Sequence, residues 1–382
     1  TSINATGTIS FSDNKQLIYN KGEQTKLIYQ VTLEPQDPLG SWEILVDAEN
    51  GTIIRKANRA CNHGAHKKSA IAVPPPVIGT GNVFLPDPLS VDLATYAGAY
   101  LDYNDATNAT FDAAMSNVVL LDINFNGVDY ELNGPFAEIK DFENPWDGLF
   151  EQPSSAFDYN RFDDEFEAVN CYYHIDNSMR YINNTLGISL MPFQYTSGVR
   201  FDPNGLNGAD NSHYLGGSGR MSFGAGGVDD AEDADVILHE LGHGMHDWLT
   251  SGNLSQVNGL SEGSGDYWAS SYSRSLNQWT TANAEYYWMF SWDGHNPFWN
   301  GRVTNYGALY PGGLTGSIHT DGQIWSTTLL RIYDSIGRTK VDAAFLEGLA
   351  MTGSSTNQED AAIAVRQAAI DMGYSCADVD VF

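Results

Sequence analysis

Residues 236–249 place two histidines and a glutamate at a spacing that suits metal chemistry. The run reads VILHELGHGMHDWL, in which His239 and His243 are four positions apart and Glu240 follows the first histidine. Positions i and i+4 lie one turn apart on one face of an α-helix, so both imidazoles can bind a single zinc ion. Glu240 then points toward the open side of the metal, where a general base is needed. The sequence therefore predicts a zinc helix.

A catalytic zinc takes three protein ligands and one water, so a third ligand is expected elsewhere in the chain. Residues 260–268 read LSEGSGDYW, and 18 residues separate His243 from Glu262. On a following helix, Glu262 and Asp266 again share one face. We expect Glu262 to bind the metal, and Asp266 to accept the outer N–H of a ligating histidine and fix its tautomer.

The composition limits the kinds of partner. The 382 residues include 48 Asp and Glu against 19 Lys and Arg, a formal net charge of −29. This charge repels phosphate backbones, so we expect no nucleic-acid partner. No run of consecutive apolar residues is long enough to span a membrane. The hydrophobic fraction of 42% is sufficient for a packed core, and the length predicts two or three domains.

The first 62 residues are predicted to form a small antiparallel sheet. Turns separate three β-forming runs at 27–33, 42–46 and 52–55. Residues 63–80 are predicted to be a linker. The basic pair Lys67-Lys68 within it is a candidate processing site.

The main body changes from β-rich to helical along the chain. Short β-forming runs precede a helix predicted over 163–186, and the pattern after Asp235 is mostly helical, ending with a helix predicted over 358–372. This order predicts an α+β fold with two lobes and a cleft between them. The first lobe, with the zinc helix, is residues 81–250, and the helical second lobe is residues 251–382.

Together these motifs resemble the gluzincin metallopeptidases of the thermolysin and fungalysin families. The resemblance implies a thermolysin-like fold in which His239, His243 and Glu262 bind zinc and Glu240 is the general base. The first 62 residues are similar to the propeptides of these proteases. The resemblance thus implies that the protein's own N-terminal domain is a partner of its protease domain.

Two further segments carry the resemblance. Residues 211–224, NSHYLGGSGRMSFG, resemble the edge strand on which thermolysin pairs with the substrate backbone, and Asn211 matches the asparagine that binds the peptide. An edge strand can accept an extended peptide as an extra strand. Residues 317–325, SIHTDGQIW, resemble the fungalysin run V-H-x-x-G-E-x-W, in which His319 matches a histidine that stabilises the oxyanion.

The sequence departs from these families at three positions. Gln323 replaces the glutamate of the fungalysin run, Leu314 replaces the aspartate that orients the oxyanion histidine of thermolysin, and Asn253 replaces a thermolysin tyrosine. Four tyrosines remain open as second oxyanion donors: Tyr267, Tyr286, Tyr287 and Tyr306.

Acidic residues crowd the turn before the zinc helix and suggest a calcium site. They are Asp229, Asp230, Glu232, Asp233 and Asp235. Carboxylates in flexible backbone suit Ca²⁺, and Asp235 matches a calcium-binding aspartate of thermolysin, although Ser273 stands near the place of its partner carboxylate. Acidic residues at a helix N-terminus also stabilise the helix dipole, so both interpretations stay open.

The sequence thus predicts a secreted zinc metalloendopeptidase that hydrolyses internal bonds of proteins or peptides. It is expected to be latent while residues 1–62 are attached, and Cys61 is a candidate blocking thiolate. Two alternatives stay open. The first is a zinc aminopeptidase, which shares the ligand spacing but carries a G-x-M-E-N run absent from this chain. The second is a non-catalytic surface module with structural zinc.

Overall fold

The computed structural model describes residues 6–21, 24–37, 42–58 and 77–382. The chain divides into two units, Thr1–Pro74 and Pro75–Phe382. Cys61 and the pair Lys67-Lys68 lie outside the described residues. The predicted linker, 63–80, overlaps the first strand of the larger unit at its last four residues. The predicted division of the main body at residue 250 stays a prediction.

The smaller unit contains an antiparallel sheet, as predicted, with strand order β1-β2-β3-β4. Its strands are β1 (Thr6–Lys21), β2 (Gln24–Asp37), β3 (Trp42–Asp47) and β4 (Ile53–Asn58). Ile28, Ile44 and Leu45 are its buried apolar side chains among the described residues. The turn between β3 and β4 is closed by Gly51, whose φ of +73° favours glycine, and by the side chain of Asn50, which accepts from Thr52 N. Strand β1 was not predicted.

Three further groups of strands lie in the larger unit. The strands are β5 (Val77–Val83), β6 (Ser116–Phe125), β7 (Tyr130–Glu131), β8 (Ala137–Ile139), β9 (Ala156–Phe157), β10 (Val199–Asp202), β11 (Ser212–Leu215), β12 (Arg220–Phe223), β13 (Trp288–Met289) and β14 (Arg302–Val303). They form the sheets β7-β6-β5-β9 and β11-β12-β10-β8 and the pair β13-β14. Strand β11 pairs only with β12 among the described strands, so its other edge is open.

The helices of the larger unit dominate its second half. They are α1 (Pro88–Asp92), α2 (Ala109–Ala114), α3 (Glu165–Arg180), α4 (Ala234–Leu249), α5 (Leu260–Ser275), α6 (Ile318–Ile336), α7 (Arg338–Leu349), α8 (Gln358–Asp371) and α9 (Cys376–Val379). The chain is therefore a mixed fold of helices and several sheets, compatible with the predicted α+β class. Among the described helices, none has the length and apolar character needed to cross a bilayer.

The predicted helices are present with small shifts at their ends. The zinc helix predicted over 236–249 is α4, which begins two residues earlier because the side chain of Asp233 accepts from Asp235 N and caps it. The last long helix, predicted over 358–372, is α8, capped by Asn357. The helix predicted over 163–186 ends as an α-helix at Arg180 and continues to Thr185 as a short π-helix.

A buried histidine on α3 makes stability depend on pH. His174 is 1% exposed, and its Nε2 lies 2.9 Å from the carbonyl oxygen of Phe84. Burial lowers the pKa of His174 to about 4, although the contact with Phe84 raises it. The neutral imidazole therefore donates its Nε2–H to this carbonyl.

We predict that His174 contributes a pH-dependent part of the free energy of unfolding. Its pKa is lower in the folded chain than in the unfolded chain, so its contribution is complete above about pH 6.5 and falls by up to roughly 3 kcal/mol toward pH 4. Urea unfolding of the wild type and His174→Gln across this range measures it. The stability gap between the two should narrow as the pH falls, and a constant gap contradicts the assignment.

Candidate metal centre and cleft

Helix α4 presents the two histidines of the motif on one face. The rings of His239 and His243 are 4.7 Å apart between centroids and nearly perpendicular. His239, Glu240 and His243 each offer a ligand atom, and these atoms lie within 4.8 Å of one another. The helix is buried along almost its whole length, which holds the side chains rigidly. These three residues can therefore hold a metal ion.

Helix α5 brings Glu262 against both imidazoles. Its Oε2 lies 3.5 Å from His239 Nε2, and its Oε1 lies 3.7 Å from His243 Nε2. Glu262 is only 4% exposed, and Gln256 Nε2 donates to its Oε1 at 2.9 Å. The structure thus brings Glu262 to the same point as the two histidines, from a helix that begins 11 residues after α4 ends.

The outer nitrogen of each histidine is held by a neighbour on α5. His239 Nδ1 lies 3.0 Å from Asp266 Oδ1, and His243 Nδ1 lies 2.8 Å from Ser261 Oγ. Partners at Nδ1 select the tautomer whose Nε2 lone pair is free for a metal. Asp266 belongs to the set proposed from the sequence. Ser261 was missed, although it directly precedes Glu262.

Both carboxylates at the centre are kept ionised by their neighbours. Burial alone raises the pKa of Glu262, but His243, His239 and His319 together lower it well below its usual range. Burial likewise raises the pKa of Asp266, but Arg302 and His239 lower it by more. An ionised Glu262 is the form that can bind a cation.

Arg302 on β14 is a second residue that the sequence did not reveal. Its guanidinium donates to Asp266 at 2.7 and 3.0 Å in a fork, and its Nη2 lies 3.3 Å from His239 Nδ1. Gln323 supports this strand, because its Oε1 accepts from Val303 N at 2.9 Å. No local motif surrounds Arg302, so only the fold shows its place. Gln323 therefore has a structural role. The replacement of the fungalysin glutamate by Gln323 did not predict this role.

One carboxylate oxygen of Glu240 accepts a hydrogen bond, and the other has no partner among the described residues. Ser212 Oγ donates to its Oε1 at 2.9 Å. Its Oε2 is shielded from solvent and has no hydrogen-bond partner among the described residues. Both Glu240 and Ser212 line a cleft of ≈ 780 Å³ that also contains the two histidines and Glu262. A buried carboxylate oxygen without a partner is available to a ligand or a water.

His319 and Asn211 also line this cleft. His319 lies in the first turn of α6 with 61% of its side chain exposed, and its Nε2 is 3.5 Å from Glu262 Oε2. Asn211 is exposed and directly precedes β11, whose outer edge is open. The structure therefore gathers the residues proposed as catalytic, metal-binding and substrate-binding around one cavity.

The structure narrows the choice of a second oxyanion donor. None of the four candidate tyrosines is among the described residues that line the cleft. Tyr267 donates to Asp342, and Tyr286 donates to Asp334, both away from the cleft. Asn253 bonds to the backbone at the end of α4. Arg302, a cationic donor, lines the cleft, whereas these tyrosines do not.

Asp235 lies at the start of α4, near Asp233 and Asp87, and burial together with the charges of these two residues raises its pKa. Its Oδ1 accepts from Ser273 Oγ, and its Oδ2 accepts from Phe290 N at 3.1 Å. It is absent from the groups of described residues able to share a metal. The calcium site at Asp235 stays a prediction, and its carboxylate already has protein donors.

Glycines let the three helices of the site approach closely. A Cβ on Gly242 would lie 2.6 Å from Gly265 Cα, where α4 crosses α5. A Cβ on Gly263 would lie 2.2 Å from the carbonyl oxygen of Gly322, where α5 crosses α6. Real Cβ atoms do not occur at such distances, so larger residues would push the helices apart. These contacts bring Glu262 to the histidines and His319 to Glu262.

No model of a known protein family matches the chain, and no curated protein matches it either.

We predict that Gly265→Ala weakens both the fold and metal binding. The added Cβ would lie 2.6 Å from Nδ1 and 2.8 Å from the carbonyl oxygen of His239, which must shift. We expect a loss of about 1–3 kcal/mol in the free energy of unfolding and a lower bound-metal content. Denaturant unfolding and elemental analysis measure the two effects. Gly353→Ala is the control, because its Cβ meets no atom within 4 Å; equal behaviour of the two variants would refute the packing argument.

Proposed function

We propose that the chain is a secreted zinc-dependent metalloendopeptidase of the gluzincin kind, with a thermolysin-like two-lobed protease domain. One observation carries the proposal. The Nε2 atoms of His239 and His243 face Glu262 while their Nδ1 atoms are occupied, and Glu240 Oε2 is unpartnered in the same cleft. The acidic net charge of −29 supports a secreted protein that holds cations.

The donor set fits zinc. Two ligand atoms about 2.0–2.1 Å from one tetrahedral ion lie roughly 3.3 Å apart. The separations from Glu262 to the two histidines, 3.5 and 3.7 Å, need only a small contraction to reach that value. Two imidazoles and one carboxylate are a donor set of zinc hydrolases, and three protein ligands leave a fourth position open.

The chain's own residues can carry out peptide hydrolysis around this ion. Bound zinc supplies a Lewis acid that polarises the scissile carbonyl and lowers the pKa of water. Glu240 takes a proton from the attacking water on Oε2 and passes it to the leaving amine nitrogen. His319 donates a ring N–H to the carbonyl oxygen as negative charge develops there. Ser212 holds the other oxygen of Glu240 and so fixes the direction of the base.

The outer strand of the cleft favours an extended peptide as the substrate. Strand β11 offers its unpaired edge next to Asn211 and Ser212, and a peptide can add to that edge as a further strand. Binding along a strand uses the backbone on both sides of the cut. This supports cleavage within a chain rather than removal of a terminal residue.

We predict that Glu240→Gln abolishes proteolysis and leaves the metal in place. The amide cannot accept the proton from water, so peptide hydrolysis should fall by about 10²–10⁴-fold while one zinc per chain is retained. Elemental analysis and casein clearing, with and without a chelator, measure both. Glu347→Gln, an exposed change on α7, is the matched control and should be fully active.

The same assays separate the alternatives. An aminopeptidase would spare a peptide whose N-terminus is acetylated, whereas we expect cleavage at interior bonds of that peptide. A non-catalytic module would bind zinc and cleave nothing. Loss of zinc in Glu240→Gln would show that Glu240 is a ligand instead of the base.

We also propose that the N-terminal unit keeps the protease latent until the linker is cut near Lys68. The support is its antiparallel sheet and its resemblance in sequence to protease propeptides. Limited cleavage should raise the rate of peptide hydrolysis. The double variant Lys67→Ala, Lys68→Ala, given the same treatment, should stay at the lower rate. Equal rates before and after cleavage of the wild type reject latency.

A further inference from the structure

A second group of acidic side chains meets in the wall of the cleft. Asp210, Asp230 and Asp293 each place one carboxylate oxygen within 4.8 Å of the others. They come from separate segments, namely the residues before β11, the turn before α4 and the loop after β13. Asp235 and the residues of the metal centre do not belong to this aspartate cluster.

The cluster buries two carboxyl groups that form no ion pair with a cationic side chain among the described residues. Asp230 is 3% exposed and Asp293 is 5% exposed. Among the described residues, none of the three aspartates forms an ion pair with a lysine, arginine or histidine. Burial and the neighbouring carboxylates raise the pKa of both buried members well above the usual range. Charges buried in this way are normally paired or bound to a metal.

One oxygen of the cluster has no partner at all. Asp293 Oδ2 accepts from Trp299 Nε1 at 3.2 Å, but its Oδ1 is shielded from solvent and unpartnered among the described residues. The position of Asp293 is fixed, because its backbone N–H donates to Asp233. Asp210 is exposed, yet Gly226 and Gly227 pack against its backbone and its carboxylate. The backbone around these residues therefore brings the three carboxylates together.

We propose that Asp210, Asp230 and Asp293 bind one calcium ion in the wall of the cleft. An all-oxygen set of carboxylates is what Ca²⁺ prefers. Calcium–oxygen distances of about 2.3–2.6 Å place ligands on opposite sides of the ion up to roughly 5 Å apart, and the three carboxylate oxygens lie within 4.8 Å of one another. Water from the cleft can fill the remaining positions.

A cationic side chain of a substrate is the competing occupant. Such a group enters from the cleft and is larger than a water molecule. Asp293 Oδ1 is shielded from solvent, and a compact ion between the three carboxylates contacts such an oxygen more readily than a bulkier substituted ammonium does. A small ion enclosed by the three carboxylates can contact this oxygen. The burial of Asp293 therefore favours the metal.

The ion would join the three segments that form this wall. Ser212, two residues after Asp210, contacts both Asp230 and the general-base candidate Glu240. Calcium binding would thus hold the start of β11 against the turn before α4. We expect stability, rather than the chemistry itself, to depend on the ion.

The test uses the full chain carrying Glu240→Gln, loaded with zinc and freed of calcium, so that it does not depend on proteolysis. Titration with Ca²⁺ by calorimetry should show one ion per chain, and saturation should raise Tm by on the order of 5 °C. Tb³⁺ in place of Ca²⁺ should show emission sensitised by Trp299, which contacts Asp293. Asp293→Asn and the exposed change Asp210→Asn should each weaken calcium binding at least about tenfold.

Asp360→Asn, an exposed change at the start of α8, removes the same charge elsewhere and should leave calcium binding unchanged. Retained zinc in each variant shows that the fold is intact. Calcium binding whose stoichiometry and affinity are unchanged in Asp293→Asn and Asp210→Asn overturns the site. A second outcome also overturns it: the chain binds no calcium, and the active protein prefers to cleave beside lysine or arginine. If Asp293→Asn abolishes that preference, the carboxylates bind the substrate.

Discussion

The whole centre depends on how closely α4, α5 and α6 can approach one another. Two of the proposed ligands lie on α4, the third lies on α5, and His319 lies on α6. Helix axes normally lie 8–10 Å apart, depending on the side chains between them. At Gly242–Gly265 and Gly263–Gly322 there are no side chains between the backbones. Because Glu262 must reach both imidazoles at once, the distance between these helices determines whether an ion can be held.

The parts of the site that a sequence can predict are those set by helical periodicity. His239 and His243, like Glu262 and Asp266, share a face because each pair is four residues apart, and α4 and α5 supply that geometry. Arg302 has no such signal. It is 36 residues from its partner Asp266 and reaches it only because β14 lies beside α6, where Gln323 holds it.

The same limit explains what was missed in the rest of the fold. Strand β1 has an irregular pattern, and strands β13 and β14 are too short to show one. Alternation alone therefore does not separate them from turns. The aspartate cluster is hidden for another reason. Asp210, Asp230 and Asp293 are spread over 84 residues; Asp210 and Asp293 stand in loops, and Asp230 begins a short 3-10 helix. Only tertiary packing can bring such residues together.

Asp233 connects the aspartate cluster with the helix that carries two of the proposed zinc ligands. Its Oδ1 accepts from Asp235 N and caps α4, the helix that carries His239 and Glu240. Its Oδ2 accepts from Trp292 N and Asp293 N at 3.2 Å each. Backbone N–H donors stabilise this buried carboxylate, which has no cationic partner among the described residues. Because one side chain both caps the helix and holds the loop, the positions of Glu240 and Asp293 are set by a shared anchor.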